Sequence, residues 1–154
     1  MGILELNSIG DWMIKWRNNN KKIVFTNGCF DLLHKGHIDL LCKASSCGDI
    51  LIVGLNSDRS VKQIKGKNRP IQNEELRSKN LSKLKYVNHV LIFDNETPKD
   101  LINTIMPDVL VKGGDYNENN IVGAKEVIAN GGRIEIVPLT QGYSTSSITK
   151  SHKR

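Results

Sequence analysis

The sequence predicts an α/β domain with a five-stranded parallel sheet and helices on both faces. Short apolar runs alternate with segments of helical period along the chain, which is typical of βα repeats. The run over residues 50–55 is apolar without interruption, as expected for a central strand that is covered on both faces. A length of 154 residues suits one domain, since domains commonly hold about 100–200 residues. We therefore expect a single domain over residues 1–154.

The first half of the chain begins with a helix and continues with two strands. Apolar residues at helical spacing predict an amphipathic helix over residues 9–17, within an N-terminal helical extension of residues 1–20. A strand over 23–26 and a helix over 37–46 lead to the strand at 50–55.

A long polar stretch, residues 56–72, is predicted as a loop. Asn73 is the expected N-cap of a helix over 74–85, whose basic residues we expect on a solvated surface. These basic residues are Arg77, Lys79, Lys83 and Lys85. A strand over 89–93 follows.

The last third continues the alternation. Thr97 followed by Pro98 predicts an N-cap and a helix that runs to residue 105. Strands are expected over 109–112 and 133–137, with a helix over 121–130 between them and a short helix from Ser144.

Composition excludes several classes of protein. A hydrophobic share of 38% excludes disorder for most of the chain, and no apolar run approaches the roughly 20 residues of a membrane span. The three cysteines fit no CxxC spacing and are expected as reduced thiols in a cytoplasmic protein without a signal peptide. The net charge of +6 leaves open nucleic acid, a membrane surface or a small anionic ligand.

Ligands of open parallel sheets bind beyond the carboxyl ends of the strands. The segments in that position are 27–37, 56–72, 112–116 and 139–147, and they are rich in Gly, His, Lys and hydroxyl side chains. We therefore expect the functional site there.

The first of these loops carries two histidines at the start of a helix. Gly28 allows a tight exit from the strand, and Gly36 lets a ligand approach the backbone. Because helix N-termini attract anions, His34 and His37 are candidates to donate hydrogen bonds to phosphate oxygens. Ordinary packing residues and a zinc-binding pair are the alternatives.

Residues 28–37, GCFDLLHKGH, resemble the signature of the HxGH nucleotidyltransferase superfamily. The resemblance implies a Rossmann-like nucleotidyltransferase fold with a catalytic core over residues 22–150. It implies transfer of a nucleoside monophosphate from a triphosphate to a phosphorylated acceptor, with His34 and His37 as catalytic residues. The nucleotide-binding residues implied in this region are Thr26, Asn27, Gly28, Cys29, Phe30 and Gly36.

The second loop holds five basic residues within eleven positions that contain no acid: Arg59, Lys62, Lys65, Lys67 and Arg69. A solvated face, a nucleic-acid patch and a phosphate clamp are all compatible with charge alone, but the loop has no aromatic residue on which a base could stack.

Residues 54–61 and 65–71 look like the heptose 1-phosphate adenylyltransferase branch of the superfamily. That likeness implies that Lys65 and Arg69 act in catalysis. The acceptor-binding residues that it implies are Asp31, Asn56, Asp58, Lys65 and Arg69.

Two further loops complete the resemblance. One is an ordinary Gly-rich turn or a nucleotide site, formed by Lys112, Gly113, Gly114, Asp115 and Tyr116. The other is an N-cap or a cradle for the β- and γ-phosphates, formed by Ser144, Thr145 and Ser146. Leu139 stands where cytidylyltransferase relatives have Arg, which argues against a cytidylyltransferase.

The resemblance implies that AMP passes from ATP to heptose 1-phosphate, giving ADP-heptose and pyrophosphate. Mg²⁺ would accompany ATP, with Asp31 as a candidate ligand, and a separate sugar kinase would supply the acceptor to a homodimer. No nucleic-acid or membrane partner is expected. The alternatives are a glycerol-3-phosphate cytidylyltransferase, an FAD synthetase-like enzyme, or a non-catalytic nucleic-acid-binding domain.

Overall fold

The computed structural model describes residues 2–114 and 120–138, which form an α/β fold around one parallel sheet. The strands are β1 (Gly2–Leu4), β2 (Ile23–Gly28), β3 (Ile50–Asn56), β4 (His89–Phe93), β5 (Val109–Gly113) and β6 (Arg133–Val137). The helices are α1 (Ile9–Asn18), α2 (Lys35–Ser45), α3 (Asp58–Lys65), α4 (Glu74–Ser82), α5 (Lys99–Ile105) and α6 (Ala124–Ala129), with a 3₁₀ turn over Leu6–Ser8.

Within the described residues the sheet has six strands in the order β1-β4-β3-β2-β5-β6, so the prediction of five was wrong. The additional strand, β1, pairs with β4 at the edge, where Gly2 lies opposite His89 and Leu4 opposite Leu91. Three residues with one paired side are too short to give a period-2 pattern in the sequence. The five predicted strands are all present, and every pairing is parallel.

The predicted loop over residues 56–72 contains a helix, α3, which corrects the sequence-based assignment. Ser57 is its N-cap, and the Ser57 hydroxyl accepts a hydrogen bond from the Ser60 amide at 3.2 Å. Val61 and Ile64 are the only two apolar residues of this helix, and one of them is exposed, so its apolar face is too short to show a repeat in the sequence.

Of two predicted helix N-caps, one is confirmed and one is wrong. Asn73 caps α4 as expected, since its side-chain oxygen accepts a bond from the Leu76 amide at 2.9 Å. The prediction of Thr97 as a cap was wrong, because α5 begins at Lys99 and Pro98 occupies the N-cap position without a side-chain bond. No helix in the described part of the chain is long and apolar enough to cross a bilayer.

Apolar residues on the two faces of the sheet form two core clusters. Phe25 and Ile52 belong to the cluster that contains α1 and α5 residues, whereas Val24 and Leu51 belong to the cluster that contains α2 residues. Neighbouring residues of one strand thus face opposite layers, as the pleat requires. Helices on both faces are therefore confirmed.

Residues 1–20, predicted as a helical extension, contain a strand as well as α1. Ile9, Met13 and Trp16 of α1 are buried in the same cluster as Phe25 of the central strand β2. Arg17, near the end of α1, donates to the Asp108 carboxylate ahead of β5. This segment is part of the core packing.

Candidate active site

Three of the four predicted functional loops, as far as the structure describes them, meet at the carboxyl edge of the sheet. Lys112 at the end of β5 donates through Nζ to the side-chain oxygen of Asn27 in β2, at 3.3 Å. Arg69 donates through Nε to the Asp31 carboxylate at 3.2 Å, which joins the second loop to the first. Asp115, Tyr116, Ser144, Thr145 and Ser146 lie outside the described residues.

The two histidines stack on each other at the N-terminus of α2. Their ring centroids lie 3.8 Å apart with an interplanar angle of 24°. His34 is the N-cap of α2, and its Nδ1 accepts a hydrogen bond from the Gly36 amide at 3.1 Å. Phe30 contacts the His37 ring edge-on, with centroids 5.2 Å apart. The sequence motif therefore forms a compact aromatic unit.

Burial keeps both imidazoles neutral near pH 7. Desolvation lowers the pKa of His34 below its ordinary value, and desolvation together with the charge of His34 lowers the pKa of His37 to about 4. Because Nδ1 of His34 accepts from the Gly36 amide, the neutral His34 ring carries its proton on Nε2. At His37 a hydrogen bond with the Leu32 backbone opposes the lowering of the pKa without reversing it. Each neutral ring carries one N–H donor, and both rings lie beside the positive end of α2.

The zinc-binding alternative receives no support from the geometry. Within residues 2–114 and 120–138, no group of three or more His, Cys, Asp or Glu side chains is placed to hold a metal ion.

Phe30 adopts an uncommon backbone conformation between β2 and the histidines. Its φ is +46°, in the left-handed region that L-residues rarely occupy. A Cβ added to Gly28 would lie only 3.0 Å from Cε2 of the Phe30 ring. A side chain at residue 28 would therefore crowd the Phe30 ring, which in turn contacts His37.

Asp31 is buried and binds the second loop. Its Oδ2 accepts bonds from Arg69 Nε and from the Ile71 amide at 2.8 Å, and its Oδ1 accepts one from the Gln72 amide at 2.8 Å. These bonds occupy both oxygens, so the carboxylate positions the protein's own backbone. The role of Asp31 as a ligand of Mg²⁺ stays a prediction.

Arg77 lies in the interior, contrary to the surface position expected from its charge. The expected surface residue is 0% exposed, and its guanidinium donates to Cys29, Asn56, Gln72 and Asp58. One signal was available, because Arg77 stands four residues before the buried Leu81 and so lies on the inward face of α4.

Two predicted acceptor-binding residues have partners inside the protein. Asn56 is buried, and its side-chain nitrogen donates to the Ser60 hydroxyl at 2.9 Å. Asp58 accepts a bond from Arg77 Nη2 at 2.8 Å. Thr26, a predicted nucleotide-binding residue, is 0% exposed, and its hydroxyl has no hydrogen-bond partner within the described part of the chain.

Cationic side chains surround Cys29 and the histidine pair. The charge of Lys65 acts on both His37 and Cys29, in each case lowering the pKa, so this exposed side chain lies within electrostatic reach of the first loop. Burial lowers the pKa of Lys112 and raises that of the Cys29 thiol, which keeps the thiol protonated near pH 7. A polyanion would find donors and positive charge on several sides.

A family model described as cytidylyltransferase-like matches residues 25–151. The chain belongs to the cytidylyltransferase-like family. The resemblance to the nucleotidyltransferase superfamily is thus confirmed, and so is the expectation of a nucleotidyltransferase enzyme at the level of the family.

Curated relatives are similar over most of the chain. The bifunctional protein HldE from Koribacter versatilis is 52% identical over 139 residues, which are 90% of this chain and 29% of that protein. HldE from Campylobacter jejuni is 47% identical over 149 residues, 97% of this chain and 32% of the relative. The chain therefore spans about three-tenths of the length of these relatives.

Solved structures share the fold. A lipopolysaccharide core biosynthesis protein from Thermoplasma volcanium has a TM-score of 0.64 and 27% identity, over 80% of this chain and 99% of the other. A pantoate–β-alanine ligase from Francisella tularensis has the same TM-score at 19% identity, over 98% of this chain and 73% of the other, and this likeness concerns the fold alone. The predicted Rossmann-like fold is confirmed.

Proposed function

We propose that this chain transfers AMP from ATP to heptose 1-phosphate, giving ADP-heptose and pyrophosphate. The observation that carries the proposal is the stacked pair of neutral imidazoles at the N-terminus of α2, within electrostatic reach of Lys65. About half of the aligned residues are identical to those of HldE proteins, which supports the choice of a heptose acceptor.

The reaction needs positioning and charge neutralisation more than proton abstraction. The acceptor phosphate is already an anion, so one of its oxygens attacks the α-phosphorus directly and no general base is required. The new O–P bond forms as the bond between the α-phosphorus and the bridging oxygen to the β-phosphate breaks, and the electron pair leaves with pyrophosphate. His34 and His37 would donate to oxygens on which negative charge increases.

Cations from the second and third loops would hold the two phosphorylated substrates. Lys65 and Arg69 would bind the acceptor phosphate or the leaving group, while Lys112 would face the triphosphate from the end of β5. Ser144, Thr145 and Ser146 remain the predicted partners of the β- and γ-phosphates. Holding both substrates in line supplies a large part of the rate enhancement.

Mg²⁺ would enter as part of the ATP substrate and shield the phosphate charge. Asp31 already accepts three hydrogen bonds, so we expect the phosphate oxygens to be the main ligands of the ion.

The proposed setting follows from the reaction. A sugar kinase activity must supply the 1-phosphate, and we infer that the chain works in the cytoplasm, consistent with its three free cysteines. A homodimer is also proposed. Nucleic acid and membranes are not expected as partners.

A pyrophosphate-release assay tests the proposal. Each of four nucleotides (ATP, CTP, GTP and UTP) is combined with heptose 1-phosphate, a hexose 1-phosphate, glycerol 3-phosphate and FMN. The products are identified by mass spectrometry. We expect ATP with heptose 1-phosphate to give the highest rate, with ADP-heptose as the product. A preference for CTP with glycerol 3-phosphate, or for ATP with FMN, would instead support the alternatives within the superfamily.

Absence of turnover with every pair, together with DNA or RNA binding that weakens steeply with salt, would favour the nucleic-acid-binding alternative.

A further inference from the structure

We propose that Arg77 is a positioning residue for nucleotidyl transfer, which holds the histidine loop and the second loop in a fixed register. The inference rests on the proposed function and adds a residue that contacts no substrate.

Arg77 binds three separate segments with one side chain. Its Nη1 donates to the carbonyl oxygens of Cys29 at 2.8 Å and Asn56 at 2.7 Å, and its Nε donates to that of Gln72 at 2.9 Å. Its Nη2 donates to the Asp58 carboxylate at 2.8 Å, which balances the charge. The ends of β2 and β3 and the end of the second loop therefore converge on one guanidinium.

Gln72 is held through both of its backbone polar groups. Its amide donates to Asp31, and its carbonyl oxygen accepts from Arg77. Arg77 also binds Cys29, two residues before Asp31. Two connections therefore join Gln72 to residues 29–31. One is the direct bond from its amide to Asp31, and the other runs from its carbonyl oxygen through Arg77 to the Cys29 carbonyl oxygen. A shift of one segment along the other would break both.

Phe30 connects the segment that Arg77 binds to the histidines that we propose as catalytic residues. Cys29 immediately precedes Phe30, whose left-handed backbone directs its ring to the edge of His37. The second loop carries Arg69, which binds Asp31. Fixing the Cys29 and Gln72 carbonyls therefore sets where the imidazoles stand relative to Arg69.

The chemistry of this position favours arginine. A guanidinium is planar, carries five N–H donors in a fixed fork and stays charged when buried. A lysine ammonium has three donors on one atom, so it cannot reach acceptors spread over three segments.

The test compares Arg77→Lys with Lys79→Met, a matched control that removes an exposed cation from the same helix. Folding is checked by circular dichroism, and the side-chain NMR resonances of His34 and His37 are recorded without substrate. We expect Arg77→Lys to fold, to shift both imidazole resonances and to lower kcat at least tenfold, with KM for ATP changed less than threefold. Lys79→Met should match the unsubstituted protein.

An unchanged kcat and unchanged histidine resonances in folded Arg77→Lys would overturn the proposal. A lower kcat without a change in the resonances would also overturn it, since that result indicates a smaller active fraction and no displaced histidine. If Arg77→Lys does not fold, Asp58→Asn replaces it as the test, because it removes the charge that balances the guanidinium while it keeps an oxygen acceptor for Nη2. We expect shifts of the same histidine resonances, and unchanged resonances would overturn the proposal.

The NMR comparison does not depend on the substrate. If the unsubstituted protein fails to adenylylate heptose 1-phosphate, the proposed function falls, while the resonances still decide whether Arg77 positions the histidines.

Discussion

His37 is both a packed residue and a proposed catalytic residue. Phe30 contacts its edge and His34 stacks on its face, so the ring has a fixed orientation before any ligand arrives. A preorganised donor avoids reorganisation during the reaction. Neutrality follows from the same burial, because desolvation is the first cause of the lowered pKa.

Replacement of His37 by alanine should remove one donor to the transferred phosphoryl group. We expect kcat for nucleotidyl transfer to fall by about 10²–10³, as is typical when one preorganised donor is lost. His37 is only partly buried, so the fold should survive. Steady-state pyrophosphate release and circular dichroism check both statements. Turnover near that of the unsubstituted protein would remove His37 from the proposed machinery.

The lowered pKa of His37 also predicts how stability depends on pH. Between its ordinary pKa of 6.5 and the folded pKa of about 4, the unfolded chain binds a proton that the folded chain does not. Stability is therefore present above pH 6.5 and is lost as the pH falls through this window. Because the ring is partly exposed, we expect a contribution of about 1–2 kcal/mol between pH 7 and 4.5.

Urea unfolding at pH 7 and at pH 4.5 measures this contribution. The unsubstituted protein should lose more free energy of unfolding on acidification than His37→Gln does, by the amount given. Equal losses in the two proteins would contradict the assignment of a depressed pKa to His37.

Single residues were predictable only where the signal was local. His34 and His37 were found from a contiguous motif after a strand. The burial of Arg77 and the internal partners of Asp31 were not predicted, because these partners lie far away in sequence: Arg77 binds Cys29 across 48 positions, and Asp31 binds Gln72 across 41. A formal charge in one sequence does not show whether distant carbonyls or amides will surround it.

At the scale of elements, periodicity decided what could be predicted. β3 was predicted as central from its apolar run, and it lies between β2 and β4 with both faces covered. α3 and β1 were missed because both are short: α3 has only Val61 and Ile64 as apolar residues, and β1 has three residues. The end of β3 carries Asn56 and the start of α3 carries Asp58, so the local structure around these two predicted acceptor-binding residues was predicted least well.

The central position of β3 predicts a large cost for truncating Leu51. This side chain is 1% exposed within the α2-side cluster, so Leu51→Ala should lower the free energy of unfolding by about 2–5 kcal/mol. Ile3→Ala on the edge strand β1 is the matched control, because Ile3 is 53% exposed. We expect this control to cost less than about 0.5 kcal/mol. Chemical denaturation of both variants checks the contrast, and similar costs would refute the central placement.

For the whole molecule, the basic excess has more than one role. Arg69 is engaged by Asp31 beside the histidines and Lys65 lies within reach of them, which suits a polyanionic ligand. Arg77 is wholly buried and stabilises loop geometry. Arg59, Lys62 and Lys67 are exposed on α3 and the loop after it. The net charge of +6 does not show which basic residues contact a ligand, which are buried and which are solvated, because these roles depend on tertiary contacts.

The N-terminal segment belongs to the same cooperative unit as the proposed catalytic core, and adjacent residues of α1 test this. Met13 is 8% exposed and packs in the cluster with Phe25 and Leu101, whereas Ile14 is 62% exposed. Met13→Ala should cost about 2–5 kcal/mol of unfolding free energy, and Ile14→Ala less than about 0.5 kcal/mol.

Thermal and urea unfolding of these two variants, followed by tryptophan fluorescence and by far-ultraviolet circular dichroism, provides the measurement. If α1 and the sheet unfold together, both probes should give one midpoint, which Met13→Ala lowers. The rate of pyrophosphate release per folded molecule should stay unchanged, because α1 lies away from the histidine loop. Two separate transitions, with only the fluorescence midpoint lowered, would instead make residues 1–20 an independent extension. The packing of Trp16 beside His89, with ring centroids 5.2 Å apart, favours the single transition.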